Sequence, residues 1–131
     1  MMIYVYPAVM YPEEDGRYSV VFPDLNDLST FGDDAADALN MAQDACCMNL
    51  FNMLKDGEKL PEPSAIQSIQ PEDGGFVTLV LCDLDAYAKK YNDKAVKKTL
   101  SIPAWLNTAC EAAHINYSKV LQEALIAKIQ A

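Results

Sequence analysis

Three carboxylates near the ends of predicted strands are the residues of this chain best placed for metal chemistry. Asp24 ends the second predicted strand, and Asp83 and Asp85 follow the last one. A two-metal nuclease needs several carboxylates around ions about 4 Å apart, and one of them would stand in the first strand of such a sheet. The first predicted strand, MIYVYPAVMY, holds no acid. We therefore expect solvated strand ends; magnesium-dependent cleavage lost in Asp24→Ala or Asp83→Ala would indicate a nuclease instead.

The cysteines and the single histidine offer no second site. Cys46, Cys47, Cys82 and Cys110 lack CxxC spacing, and one histidine cannot complete a zinc set with them. We expect reduced, buried thiols. His114 ends a predicted helix, where we expect its side chain to interact favourably with the helix dipole rather than to take part in catalysis. Since the sequence also lacks a Ser-His-Asp set, a phosphate loop and a GxGxxG motif, we predict no enzyme, no metal and no cofactor.

Charge divides the chain into two unlike parts. The 131 residues carry a net charge of −9, but residues 1–92 carry −11 and residues 93–131 carry +2. An acidic body repels phosphate and attracts a basic partner. No apolar run approaches the ~20 residues of a membrane span, and the first residues lack the basic segment of a signal peptide. We expect a cytoplasmic protein that does not enter a membrane.

The first two thirds of the chain predict a helix on a small sheet. Aromatic and β-branched residues predict strands at 3–11, 17–22 and 28–31. Asp33 is the predicted cap of a helix whose last turn holds Lys55. Its apolar stripe is predicted from residues that recur at three and four: Ala35, Leu39, Ala42, Cys46, Leu50 and Met53. The remaining predictions are a short strand at 65–69, a buried central strand at 76–81 and a short helix at 83–91.

The last third predicts one strand and two helices. The run KKTLSIP at 97–103 alternates polar and apolar residues, as a strand with one apolar face does. Pro103 ends the run, a first helix follows from Ala104, and Asn116 and Ser118 are N-cap types before a second helix. So small a unit cannot bury a sufficient core. We expect two copies to pair their strands about a twofold axis, above four helices.

This tail resembles a ribbon-helix-helix DNA-binding domain. KKTLSIP, the helix after Pro103, the Asn-Tyr-Ser turn and VLQEAL carry the resemblance. In that class the two-stranded ribbon enters the major groove and the start of the second helix holds a phosphate. The resemblance predicts DNA contacts at Lys97, Thr99, Ser101, Asn116, Tyr117 and Ser118. A ribbon that only dimerises the protein is the alternative, because +2 is a weak footprint for a DNA-binding protein.

The order of parts along the whole chain resembles the HicB antitoxin family. An opening hairpin, FPDL at 22–25 and the Thr-x-Gly-Asp run at 30–33 before an Ala-rich helix carry this resemblance. Two positions depart from the family pattern: residues 26–29 replace a glycine and a cysteine, and the acid of the first helical turn is shifted to Asp37. The implied fold is α+β, with a partial RNase H-like β-β-β-α-β domain at 1–88, a hinge at 89–94 and the ribbon-helix-helix domain at 95–131.

The same resemblance implies the function and the partners. It predicts an antitoxin that inhibits a HicA-type toxin, a small basic mRNA-cleaving protein, and that represses its own operon by binding operator DNA as a homodimer or tetramer. The predicted toxin contacts are Asp24, Asp27, Asp33, Asp34 and Asp37; a merely solvated acidic face is the alternative. A second hypothesis is a ribbon-helix-helix regulator without a toxin partner, whose acidic half senses a small ligand and changes its affinity for DNA.

Overall fold

The computed structural model describes residues 2–91 and 93–130. They divide into two compact units, one within 2–93 and one within 94–130. The elements in chain order are β1 (Ile3–Pro12), β2 (Tyr18–Phe22), β3 (Leu28–Gly32), α1 (Ala35–Lys55), β4 (Phe76–Asp83), α2 (Leu84–Tyr91), α3 (Ala104–Ala112) and α4 (Tyr117–Ile129). This order confirms a mixed α+β chain. None of the described helices is both long and apolar enough to cross a bilayer.

The first unit is built on a four-stranded antiparallel sheet in the order β3-β2-β1-β4. β1 pairs with β4 from Ile3 opposite Asp83 to Met10 opposite Phe76. Its other edge pairs with β2, which in turn pairs with β3. The structure confirms the first three predicted strands to within a residue or two at each end.

Helix α1 covers one face of this sheet. Ala38, Ala42, Cys46 and Leu50 recur every four residues and are fully buried, as the apolar stripe of an amphipathic helix should be. They form one core with the helix-facing side chains of the strands, among them Tyr6, Ala8, Val20 and Phe22. The predicted cap, Asp33, is wrong by one residue. Asp34 caps the helix, because its Oδ1 accepts a hydrogen bond from the Asp37 backbone N–H at 2.8 Å.

The junction between β3 and α1 explains the glycine of the Thr-x-Gly-Asp run. A Cβ added to Gly32 would overlap the backbone N and Cα of Ala38 and would lie 2.6 Å from the carbonyl carbon of Asp37. Only a residue without a side chain lets the strand end this close to the first helical turn. Gly32 therefore fixes how the helix is set on the sheet.

Three sequence predictions for the first unit are corrected by the structure. The strand predicted as central is β4, an edge strand, and its Leu79 and Leu81 are about half exposed. The strand predicted at 65–69 is instead a single 3-10 turn at Ile66–Ser68. The hinge predicted at 89–94 begins too early, since α2 continues to Tyr91. Asn92 of that hinge, like Met1 and Ala131 of the predicted domain bounds, lies outside the described residues.

The expectation of four reduced thiols is wrong for two of them. Cys47 of α1 and Cys82 of β4 form a disulfide, with their Cα atoms 5.5 Å apart. The pairing was not visible in the sequence because residues 35 apart meet only when the helix lies on the sheet. Cys46 is a free, buried thiol, and burial raises its pKa to about 11. Cys110 is free and partly exposed.

The second unit contains α3 and α4, as predicted. Between them, His114 adopts a left-handed conformation with φ of 54°. Its N–H donates to the Glu111 carbonyl, and the Ile115 N–H donates to the Cys110 carbonyl. These two bonds form a Schellman motif that ends α3. Residues 93–103 form neither helix nor strand in the single chain; the paired strand predicted at 97–102 requires a second copy and stays a prediction.

Candidate functional site

The surface of the second unit is unusually apolar. No described residue of α3 or α4 is buried. Trp105 is 72% exposed and Ile129 75% exposed, and the pattern continues along both helices and the preceding segment, at Val96, Leu100, Ile102, Ile115, Val120, Leu121, Leu125 and Ile126. Because the apolar faces of α3 and α4 are exposed to water, the second unit of a single chain does not bury enough apolar surface to form a core.

The start of α4 is built by two side chains that were predicted to contact DNA. Asn116 caps the helix: its Oδ1 accepts from the Lys119 N–H at 3.1 Å. The Tyr117 hydroxyl donates to Asn107 Oδ1 at 2.8 Å, which ties α4 to α3. Desolvation, then Cys110 and Glu111, raise the pKa of Tyr117 above its ordinary value. Ser118 is exposed in the first turn.

The other three predicted DNA contacts lie on the segment before α3. Lys97, Thr99 and Ser101 are all exposed. They alternate with Lys98, Leu100 and Ile102, which are exposed too. The structure places the two groups of predicted contacts, 97–101 and 116–118, in the same compact unit.

Of the five acids predicted to contact a toxin, Asp24 is partly buried and the other four are exposed, and most of the five hold local structure. Asp24 accepts from both the backbone N–H and the hydroxyl of Ser64, which pins the loop after α1 to the end of β2. Asp34 and Asp37 bond to backbone N–H groups at the start of α1. Asp27 occupies a left-handed turn with φ of 55°.

The carboxylates considered for a nuclease are likewise engaged separately. Asp83 Oδ1 accepts from the Ala86 N–H and starts α2, whereas Asp85 Oδ2 accepts from the Met2 N–H. Within residues 2–91 and 93–130, no group of three or more His, Cys, Asp or Glu side chains is arranged to hold a metal ion. These acids therefore act as strand-end and helix-start caps where the structure describes them.

Sequence reasoning missed a groove in the first unit, between the exposed side of α1 and α2. Its volume is about 590 Å³. α1 contributes Asp44, α2 contributes Tyr87 and Tyr91, and the end of β4 contributes Asp83. The two tyrosines, four residues apart, pack against each other with ring centroids 4.8 Å apart and ring planes tilted by 44°. That spacing on α2 was the only available signal, because the groove exists only once α2 lies beside α1.

Comparison with known proteins gives the family. A model of the HicB-like antitoxins of bacterial toxin–antitoxin systems matches residues 6–129. The chain belongs to this family. The antitoxin HicB 1 of Photorhabdus laumondii is 39% identical over 61 residues, which are 47% of this chain and 39% of that protein. The matched region thus covers less than half the length of that relative.

Two solved structures resemble the whole HicB-like chain. One belongs to a toxin–antitoxin complex from Streptococcus pneumoniae, with a TM-score of 0.63, 26% identity, and coverage of 97% of this chain and 99% of that one. The other is the antitoxin HicB of Burkholderia pseudomallei, with a TM-score of 0.55, 20% identity, and coverage of 99% and 98%. The second likeness is one of fold alone.

Proposed function

We propose that this chain is an antitoxin that neutralises a HicA-type mRNA-cleaving toxin with its first unit and represses its own operon with its second. The observation that carries the proposal is the family match over residues 6–129, which spans both units. The division of charge between the two units supports this assignment of the two tasks. The first unit, a partial RNase H-like domain without catalytic carboxylates, is strongly acidic and would cover the RNA-binding face of a basic ribonuclease in the cytoplasm.

The second unit would act as a dimeric ribbon-helix-helix domain. Its exposed apolar helices support this role, because a second copy gives those faces a core. The strands at 97–102 of two copies would then pair and present Lys97, Thr99 and Ser101 to the major groove. The start of α4, which Asn116 caps, would hold a DNA phosphate at the positive end of the helix dipole.

Neutralisation is tested by co-expression. Cells that make the small basic protein encoded beside this gene should stop growing, and the full chain should restore their growth. The two proteins should also co-purify. If growth is not restored and no complex forms, the toxin-binding half of the proposal is wrong.

Repression is tested by binding to labelled DNA from upstream of the gene at two salt concentrations. Full-length protein should bind with a marked loss of affinity at the higher salt concentration. The double variant Lys97→Ala/Thr99→Ala should lose binding. Lys128→Ala removes a charge from the last turn of α4 and is the control; equal losses in the control and the double variant would contradict a ribbon that reads bases.

A further inference from the structure

The groove between α1 and α2 combines negative charge with an aromatic wall. Asp44 of α1 lines one side of the groove, and Tyr87 and Tyr91 of α2 line the other. Burial and then the Asp44 carboxylate raise the pKa of Tyr87, which indicates that the carboxylate lies near that ring. Tyr91 is 55% exposed and forms the outer end of the wall. The wall is itself held in place, because Tyr87 packs on Phe51 of α1 with ring centroids 5.7 Å apart.

The chain already places a cation on this wall. The Lys90 ammonium lies 5.0 Å from the centroid of the Tyr91 ring. A cation over an aromatic face is attracted by the ring quadrupole. Lys90 and Tyr91 are adjacent on one helix, and Lys90 is exposed, so its side chain can leave the ring for water without disturbing the fold.

We infer that this groove binds an arginine side chain of the basic protein partner, with the guanidinium paired to Asp44 and stacked on Tyr91. The inference rests on the proposed antitoxin function, which does not specify the toxin contacts, and it assigns one of them to this groove. A planar guanidinium stacks on a ring and pairs with a carboxylate at once, which the compact ammonium of lysine does less well. The arginine therefore displaces Lys90.

Charge and shape both favour this occupant. The first unit carries −11 over residues 1–92, so a cationic surface is drawn to it from a distance. Of the five acids predicted from sequence, Asp24, Asp34 and Asp37 already accept hydrogen bonds from their own unit. Asp44, which is exposed in the free chain, lies instead in a groove with an aromatic neighbour. A partner that covers the groove shields the bound side chain from water, and each contact is then worth more.

The test uses the full-length chain, immobilised, and the small basic protein encoded beside its gene as the probe. Dissociation rates are compared for wild type, Asp44→Asn and Tyr91→Leu. Glu58→Gln and Tyr91→Phe are the matched controls: the first removes one exposed charge outside the groove, and the second keeps the ring. All three positions are exposed, on a helix surface or near a helix end, and circular dichroism checks that each of the four variants folds.

A shielded ion pair governs dissociation, whereas an exposed charge mainly affects association. Asp44→Asn should therefore raise the dissociation rate about tenfold or more, and Tyr91→Leu about threefold to thirtyfold. Tyr91→Phe should stay within about twofold of wild type, and Glu58→Gln should leave the dissociation rate near the wild-type value.

The outcomes separate this inference from the function beneath it. If the wild type does not bind the probe, the proposed function fails and the inference fails with it. If the wild type binds and Asp44→Asn dissociates as slowly as Glu58→Gln, the function stands and the inference is overturned. It is also overturned if Asp44→Asn changes the molar mass of the antitoxin alone, measured by light scattering, because the groove would then hold a second copy of this chain.

Discussion

Replacing Gly32 by alanine should destabilise the first unit far more than an ordinary surface substitution. The added Cβ would overlap the backbone of Ala38 and lie 2.6 Å from the Asp37 carbonyl carbon. Backbone atoms cannot rotate away as a side chain can. The Ala38 N–H also donates to the Asp34 carbonyl at 2.9 Å, the first bond of α1, and Asp34 provides the helix cap. The alanine can be accommodated only if the first helical turn moves.

The magnitude follows from these two losses. Overpacking of a well-packed site costs about 1–3 kcal/mol, and loss of a helix cap about 1 kcal/mol. We expect the free energy of unfolding to fall by about 2–4 kcal/mol, a large part of the ~5–15 kcal/mol of a typical domain. For a unit of this size each kcal/mol lowers Tm by about 4–8 °C, so Tm should fall by at least roughly 8 °C.

The assay is urea and thermal unfolding of the full-length chain, followed by circular dichroism. Gly16→Ala is the matched control: Gly16 has φ of +89°, but a Cβ there meets no atom within 4 Å. That variant should lose only the ~1 kcal/mol of a strained turn. If Gly32→Ala is no less stable than Gly16→Ala, the close approach of β3 to α1 does not set the fold as we argue.

Three further predictions concern pH and the second unit. The pKa of Cys46 is about 11 in the folded chain against 9.0 ordinarily. Above pH 9 the unfolded chain therefore loses this proton first, and the free energy of unfolding should fall by up to ~1.4 kcal/mol per pH unit until about pH 11. Unfolding of Cys46→Ala should depend less on pH, and an unchanged dependence would contradict the assignment to Cys46. Asn116→Ala removes the cap of α4 and should cost the second unit about 1 kcal/mol, read from the fluorescence of the single tryptophan, Trp105, with Ser118→Ala as a control that leaves the cap bond intact. His114→Gly should stabilise the same unit by about 1 kcal/mol, because glycine adopts the left-handed conformation without strain; a lower Tm would count against the Schellman ending.

The sequence predicted what depends on local pattern. The strands of the opening hairpin and the buried positions Ala42, Cys46 and Leu50 of α1 follow from periodicity, whereas Ala35 and Leu39, predicted in the same stripe, are exposed. Of the two N-cap types before α4, Asn116 is the cap. The family resemblance also rested on local runs such as Thr30 to Asp33, and the match over residues 6–129 confirmed it.

Features that depend on how the elements are arranged in space could not be predicted from the sequence. A strand that is apolar on both faces usually lies inside a sheet, but β4 is added at the edge, beside β1, and leaves Leu79 and Leu81 partly in water. The contact of Cys47 with Cys82 and the groove beside Asp44 join residues of different elements, so no single run of sequence contained them. The alternation of polar and apolar residues at 97–102 can be read from the sequence, but the strand pairing predicted from it requires a second copy and stays a prediction.

The most direct test of the antitoxin proposal is the rate at which the neighbouring toxin cleaves an mRNA, measured while this chain is added in increasing amounts. The proposal predicts that cleavage falls in proportion to added protein and stops at a fixed ratio of the two chains, because the acidic unit covers the surface that the RNA needs. Asp44→Asn should shift this titration to higher concentration, while Glu58→Gln should not. Cleavage that continues unchanged with the full-length chain in excess would contradict the account.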